Sequence, residues 1–546
     1  MKHIPLSLKS PKALKAATGV MQAYGKTVAL SIILAGQLSL CLPMQTFAQP
    51  QVLHLQKATD ALSVRQLWVE NKTAPTGIAT QHPRLSWASS SGGQNVMQTA
   101  YEIRLATSQA DVQKGKKLYW KTGKVNSGSS RHVLYEGPTL KSAEKYYWQV
   151  RIWDNQGHQS AWSQPASFLT GFLSKTDWKA QWIEPGYTED PQLRPSPLMR
   201  KDFVLHKKIK SARAFITAHG LYEAFINGKK IGKGFLTPGW TSYNKRLQYQ
   251  SYDVTNLIQG GKNAIGVRLG NGWYRGYLAW GDTHNIYGKT LGLLFQLEIT
   301  YTDGSKSTIL SDGSWKSTTG EIRYAEIYNG ETIDHRMTQK GWMLPGYQDQ
   351  DWTPVKTVRA GYDNLVTTEN ELVEKHETFR PLKVITTPKG EKVLDFGQNL
   401  VGWVVVHLKG NAGDTIKIFH AEVLDKAGNF YTTNLRKAKA EDQYILSGKG
   451  QETFEPHFTW HGFRYIKVEG IDGPLNPEDF TAVALYSNMA QTGHFSSSDS
   501  LINQLQHNIE WGLRGNFWMC PLTVHKETKD WAGPEMRKCF PEPPVF

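Results

Sequence analysis

From Gln49 to Phe517 the chain contains no cysteine; the three it has are Cys41, Cys520 and Cys539. This excludes a disulfide framework and a cysteine-ligated metal from the body of the protein. Long apolar runs are also scarce. The one candidate, Val28 to Leu42, is too short for a stable membrane span and has the wrong flanks. A large basic cluster is missing too. The formal charge is +15, but five of the lysines (Lys2, Lys9, Lys12, Lys15 and Lys26) precede or flank the start of that apolar run. The remaining basic residues are scattered, and the densest groups, Lys114–Lys117 and Lys207–Lys210, are short. They read as solvated surface, and no nucleic-acid partner is expected.

What stands at the amino terminus is an export signal. A basic segment without acidic residues leads into the apolar run, and Thr46-Phe47-Ala48 offers a small residue for cleavage. Residues 1–48 are therefore expected to be removed, leaving a periplasmic or extracellular protein. Cys41 opens a lipoprotein alternative, although Leu40 precedes it where a small residue is usual.

The chain has 546 residues with 49 glycines and 25 prolines, enough for several domains. Tryptophan (19), tyrosine (23) and phenylalanine (20) are plentiful. Such rings fill β-sandwich cores and also stack on sugars, and composition does not separate the two uses. Residues 62–172 show short strands of alternating polarity, such as Tyr101–Thr107 and Tyr146–Trp153, broken by the turn Asp154–Gly157. This pattern predicts a fibronectin type III-like sandwich, with Trp87, Trp148 and Trp153 in its core. A linker rich in Pro, Glu and Asp spans 173–196. Residues 197–355 form a second all-β unit, with Asn227-Gly228 as a tight-turn signal. Its segments Thr237–Tyr243 and Leu269–Gly276 are dense in glycine and aromatics. Residues 370–488 form a third β unit, where Leu394–His407 reads as a turn-rich loop leading into a strand. Asp395, Gln398, Asn399, Glu422, Arg436, His461 and Arg464 gather polar groups there, either as a buried network or as the wall of a cleft.

Helical spacing first becomes convincing at Leu501, Ile502, Leu505, Ile509 and Leu513, behind Ser498 or Asp499 as N-cap. The sequence offers this helix no partner for its apolar stripe.

Several motifs recur in a fixed order: Asn227-Gly228 through Pro238-Gly-Trp-Thr241, Tyr252-Asp-Val-Thr255, Gly270-Asn-Gly-Trp-Tyr-Arg-Gly276, Asp395-Phe-Gly-Gln-Asn-Leu-Val-Gly402, Asn434-Leu-Arg436, His461-Gly-Phe-Arg-Tyr465 and Gly512-Leu-Arg-Gly-Asn-Phe517. In this order the chain resembles the bacterial α-L-rhamnosidases, inverting glycoside hydrolases, from about residue 60 to 517. The resemblance implies an all-β multi-domain fold: a fibronectin-like domain, a galactose-binding-like jelly roll at 197–355, and a concanavalin-like β-sandwich at 370–488. At 495–517 it implies the start of an (α/α)6 catalytic barrel. It further implies action on terminal α-L-rhamnosides of glycans or glycosides. Rhamnose binding with calcium is known in jelly-roll domains of some relatives, so calcium is a candidate ion, although no ligand motif matches residue by residue. Asn227, Trp240, Asn271 and Trp273 are the expected sugar-facing set, with loop packing as the alternative use of Trp240 and Trp273. The alternative is a non-catalytic carbohydrate-binding protein.

Beyond Phe517 the resemblance stops in the protein but not in its codons. Trp518-Met-Cys-Pro-Leu-Thr523 can be encoded so that the frame one base earlier reads Leu-Asp-Val-Pro-Thr-Asp, the family's continuation. The shifted frame then permits Cys-Pro-Gln-Arg-Asp-Glu-Arg-Leu-Gly and Trp-Thr-Gly-Asp-Ala-Gln-Val-Phe. One base lost near codon 517 accounts for this, whether in a pseudogene or through a sequencing error. Inverting hydrolysis needs one carboxyl to protonate the leaving oxygen and a second to activate water. By resemblance the first lies in the out-of-frame Arg-Asp-Glu-Arg stretch, so no catalytic residue is carried over; Glu527, Asp530 and Glu535 are not those groups. The chain as written is expected not to cut aryl α-L-rhamnosides. Residues 518–546, with Pro521, Pro534, Pro541, Pro543 and Pro544, are expected to be poorly ordered, with two exposed thiols.

Overall fold

A computed structural model describes residues 61–277 and 283–521, apart from 519. The expectations for the export signal and for residues 522–546 lie outside the described residues.

The first sandwich pairs a three-stranded sheet containing Ser63–Val69 and Arg84–Ser90 with a second sheet built around Gln98–Ala106 and Lys145–Asp154. Alternate side chains of Lys145–Asp154 point inward. Tyr146, Trp148, Val150 and Ile152 are buried with Trp87 and Leu85, as a period of two requires. Trp153 stays half-buried, with Lys124 and Arg151 over its ring. A six-residue helix, Gln109–Lys114, precedes the one expected from the sequence; Ser108 caps its start and Gly115 its end.

The jelly roll consists of two sheets, antiparallel except where Leu247–Asp253 pairs in parallel with Leu365–Thr367. One is centred on Ile209–His219 and Gly292–Tyr301, the other on Pro197–Leu205 and Gly261–Gly270. The strand Ile209–His219 is buried on both faces. Ala212, Ala214, Ile216 and Ala218 enter the jelly-roll core. Phe215 points the other way and stacks on Phe172 at 3.9 Å, beside Trp178 and Tyr249. This second core seals the jelly roll against the end of the first sandwich. The stretch 173–196, read as linker, supplies the strand Trp182–Glu184 to the jelly roll, paired with Gly292–Tyr301 and with Lys356–Val358.

The third sheet has ten strands and is organised around the 18-residue strand Lys392–Lys409. The segment read as a loop, Asp395 to Asn399, lies inside this strand as a register shift between Asp395 and Leu400. Such a bulge re-aims side chains without ending the strand. The hairpin Ile322–Glu326 and Gly330–Asp334, within the span assigned to the second unit, belongs to this third sheet through a parallel pairing with Glu441–Ile445. Gly270 closes the seam between the two units: a side-chain carbon there would collide with the Phe458 ring.

The helix Ser500–Asn516 follows. Asp499 caps it, accepting from the amides of Leu501 and Ile502. Trp511 is buried against Phe379, while Leu501 and Leu505 remain 78% and 58% exposed. No helix among the described residues is long and apolar enough to cross a membrane.

Candidate functional site

The segment after Gly261–Gly270 turns into the single helical turn Gly272–Arg275 and brings three of the four expected sugar-facing residues together. Trp240 and Trp273 stack face to face, 5.6 Å apart and 7° from parallel. Trp273 is buried and Trp240 half-buried. Asn271 is 2% exposed; its amide donates to Glu326 at 2.8 Å and its oxygen accepts from Arg275 Nε. Arg275 then grips Glu189 through two parallel bonds of 2.8 and 2.7 Å. The other Glu326 oxygen accepts from the Tyr277 amide at 3.0 Å. Burial pushes the Glu326 carboxyl up, and the bonds from Tyr277 and Asn271 only partly offset it. Nearby, His219 lies between Trp182 and Tyr274 in a three-ring stack, and burial lowers its pKa to about 4. Asn271, Arg275, Glu189 and Glu326 thus pair with one another and fix the loop end of the jelly roll.

Asn227 belongs elsewhere. It sits at φ 51° in the turn between Leu221–Ile226 and Lys229–Lys230. Its amide donates to Leu257 O and Asn263 Oδ1, and its oxygen accepts from the Ala264 amide. Both of its donors are thus committed to the turn.

The polar groups of the third unit form two sets. Asp395 and Arg464 make a bidentate pair at 2.8 and 2.9 Å. Burial works against the Asp395 anion, yet Arg464 and the Gly397 amide outweigh it and hold the carboxyl below its ordinary range. Asn399 donates to Glu422 at 3.0 Å, and Gln398 reaches His507 on the terminal helix at 3.4 Å. Arg436 is exposed at φ 55° and ψ −110°, a strained conformation for a residue with a side chain. The second set is His420, Asp442 and His461, all buried. His461 Nε2 lies 3.2 Å from Asp442 Oδ1, and His420 Nε2 lies 3.8 Å from Oδ2. Of these only His461 stood out in the sequence; His420 and Asp442 occupy inward positions of ordinary alternating strands. Their inward polarity was the available signal.

Two imidazoles and one carboxylate suit a transition ion rather than calcium, which prefers oxygen ligands. The two rings stack 4.0 Å apart and 21° from parallel, each with its Nε2 toward the shared Asp442 carboxylate. Among the described residues this is the only such group of three, and it lies outside the jelly roll.

Three family models match in sequence order. Residues 64–174 match the Rha78A-like N-terminal immunoglobulin domain. Residues 207–377 match the alpha-L-rhamnosidase N-terminal domain, and 385–486 the bacterial alpha-L-rhamnosidase concanavalin-like domain. By these domains the chain belongs to the alpha-L-rhamnosidase family. An alpha-L-rhamnosidase of Formosa agariphila is 36% identical over 84% of this chain and 51% of its own length. The solved rhamnosidase of Aspergillus terreus is similar at TM-score 0.80 with 39% identity, over 86% of this chain and 55% of that one. The Streptomyces avermitilis rhamnosidase, solved in complex with L-rhamnose, also reaches 0.80 with 29% identity, over 84% of this chain and 61% of that one. This rhamnosidase-family chain spans about half the length of the curated Formosa relative. The sequence alignment with the Streptomyces relative runs over 643 positions, more than the 546 residues here, so that relative carries insertions this chain lacks.

Proposed function

We propose that residues 61–517 are the amino-terminal part of an exported α-L-rhamnosidase, a glycoside hydrolase acting on terminal α-L-rhamnosides. One observation carries the reading: three family domains stand in order and are followed by a capped helix whose apolar stripe, Leu501, Ile502, Leu505, Ile509 and Leu513, is open to solvent. A stripe of this width is made to be covered. In this reading the helix opens the catalytic barrel and residues 518–546 are that barrel's first coding stretch read out of frame. The sandwiches position the barrel, and the carboxylates that protonate the leaving oxygen and activate water come from the restored frame. A rhamnose-containing glycan is the partner, calcium is the candidate ion of the jelly roll, and export follows from the leader at residues 1–48.

The test is genetic and enzymatic. DNA across codon 517 should read Leu-Asp-Val-Pro-Thr-Asp when one base is restored. The restored, extended protein should release nitrophenol from an aryl α-L-rhamnoside, and the chain as written should not. Turnover by the clean 546-residue protein, or a gene without the restored motif, would overturn the proposal.

A further inference from the structure

A cleft lies where three parts of the chain meet, away from the residues of the Trp240 and Trp273 stack. Its volume is about 870 Å³. One wall is the turn after Ser63–Val69, another is the strand Leu247–Asp253, and the third is the segment 368–374. Small-molecule sites have volumes of about 300–1,000 Å³, so this one admits more than a single sugar ring.

Four observations favour a ligand here. The Trp68 ring is half-buried on the wall, leaving part of a flat apolar face available. Asn71, Asn370 and Glu371 are exposed around it. Ser251 lies on the floor, 7% exposed, and its hydroxyl is buried with no hydrogen-bond partner among the described residues. An orphaned buried hydroxyl is a standing cost that a turn of the Ser251 side chain toward a ligand hydroxyl would relieve. The space above it is kept by Gly77 at φ 89°, where a side-chain carbon would stand 3.1 Å from the Ser251 oxygen. Finally, the rim is held in unfavourable backbone: Glu70, Asn71 and Ala74 all have positive φ. The first two form a tight turn closed by mutual bonds between Val69 and Lys72, but Ala74 has no such reason. Strain of this kind collects at ligand sites.

The charges on the lining cancel. Lys72 and Lys233 face Glu371 and Glu374. Neither an anion nor a cation is favoured, whereas sugar hydroxyls both donate and accept and can use every one of these groups. Trp68 would take the apolar face of a ring. We propose that this cleft binds a neutral oligosaccharide. The choice of a saccharide rests on the rhamnosidase reading above; the cleft and its orphaned hydroxyl do not.

The test is calorimetry on the full chain with L-rhamnose, the disaccharide α-L-rhamnosyl-(1→6)-D-glucose and, as a charged comparison, digalacturonate. The disaccharide should bind at sub-millimolar to millimolar strength and more tightly than digalacturonate. Trp68→Ala should weaken it at least tenfold and Ser251→Ala several-fold. Asn370→Ala, on an exposed segment, provides a variant that keeps the fold and should also weaken binding. No saccharide binding up to about 20 mM, tighter binding of digalacturonate, or equal affinity in Trp68→Ala and Asn370→Ala would each overturn the proposal. Failure here leaves the restored-frame hydrolysis assay unaffected, so the two readings fail separately.

Discussion

Glu331 is a carboxyl group enclosed by protein: its two oxygens accept from the amides of His457 and Phe458, at 2.9 and 2.5 Å. Burial pushes its pKa up to about 8, and neighbouring Asp442 adds to this, while the His457 and Phe458 amides oppose it. The folded chain therefore keeps a proton that the unfolded chain has lost. Its contribution to stability is complete below the unfolded value, near 4.5, and declines as pH rises toward 8. Below about pH 6.5 the buried, neutral His219 works in the opposite direction, so the falling Tm should appear in thermal melts from pH 6.5 to 8, and Glu331→Gln should flatten that slope. The sequence made some of the residue-level picture legible. Asn271, Trp273 and Trp240 stood out as an aromatic, glycine-dense pair of loops, and they do meet. What the sequence withheld was the sense of their burial. Arg275 and Asn271 find their carboxylates at Glu189 and Glu326, which are far away in the chain, and Glu189 sat in a stretch that reads as linker. A loop of the same letters would serve equally well in solvent.

At the scale of elements, the terminal helix is half legible. Its spacing and Asp499 cap follow from local rules, and the structure has both. Its docking does not follow from them, because Trp511 is outside the main stripe and packs on Phe379 while the stripe faces solvent. Opposite outcomes are expected on the two faces. Trp511→Ala should cost about 3 kcal/mol or release the helix, seen as new protease cuts after residue 490. Leu505→Lys should leave the melting temperature within about 1 °C and reduce self-association in sedimentation. The bulge at Asp395 was misread as a loop for a related reason. Glycine and asparagine mark a break in strand regularity, and nothing local distinguishes a turn from a register shift.

At the scale of the whole molecule, the domain order could be read, but the seams could not. A strand counted with one unit by sequence can pair with another only through contacts distant in the chain, and such contacts leave no periodic mark. The consequence can be measured with fragments. Residues 385–486 alone lack the hairpin Ile322–Glu326 and Gly330–Asp334 and expose the edge Glu441–Ile445. An open edge of this kind recruits other strands. That fragment should aggregate on expression, whereas residues 175–490 should be soluble and give one cooperative melt. Two separated transitions in the longer fragment would contradict this.

That borrowed hairpin also limits how such genes can be rearranged. A crossover that falls in the gap between the two family matches, residues 378–384, looks harmless on paper. It would nevertheless join one lineage's third sheet to another lineage's hairpin, and the parallel pairing of Thr332 with Gln443 would have to be compatible at once. Lineages that swap these two modules should therefore inherit them as a single cassette, and an engineer grafting one would do well to move both.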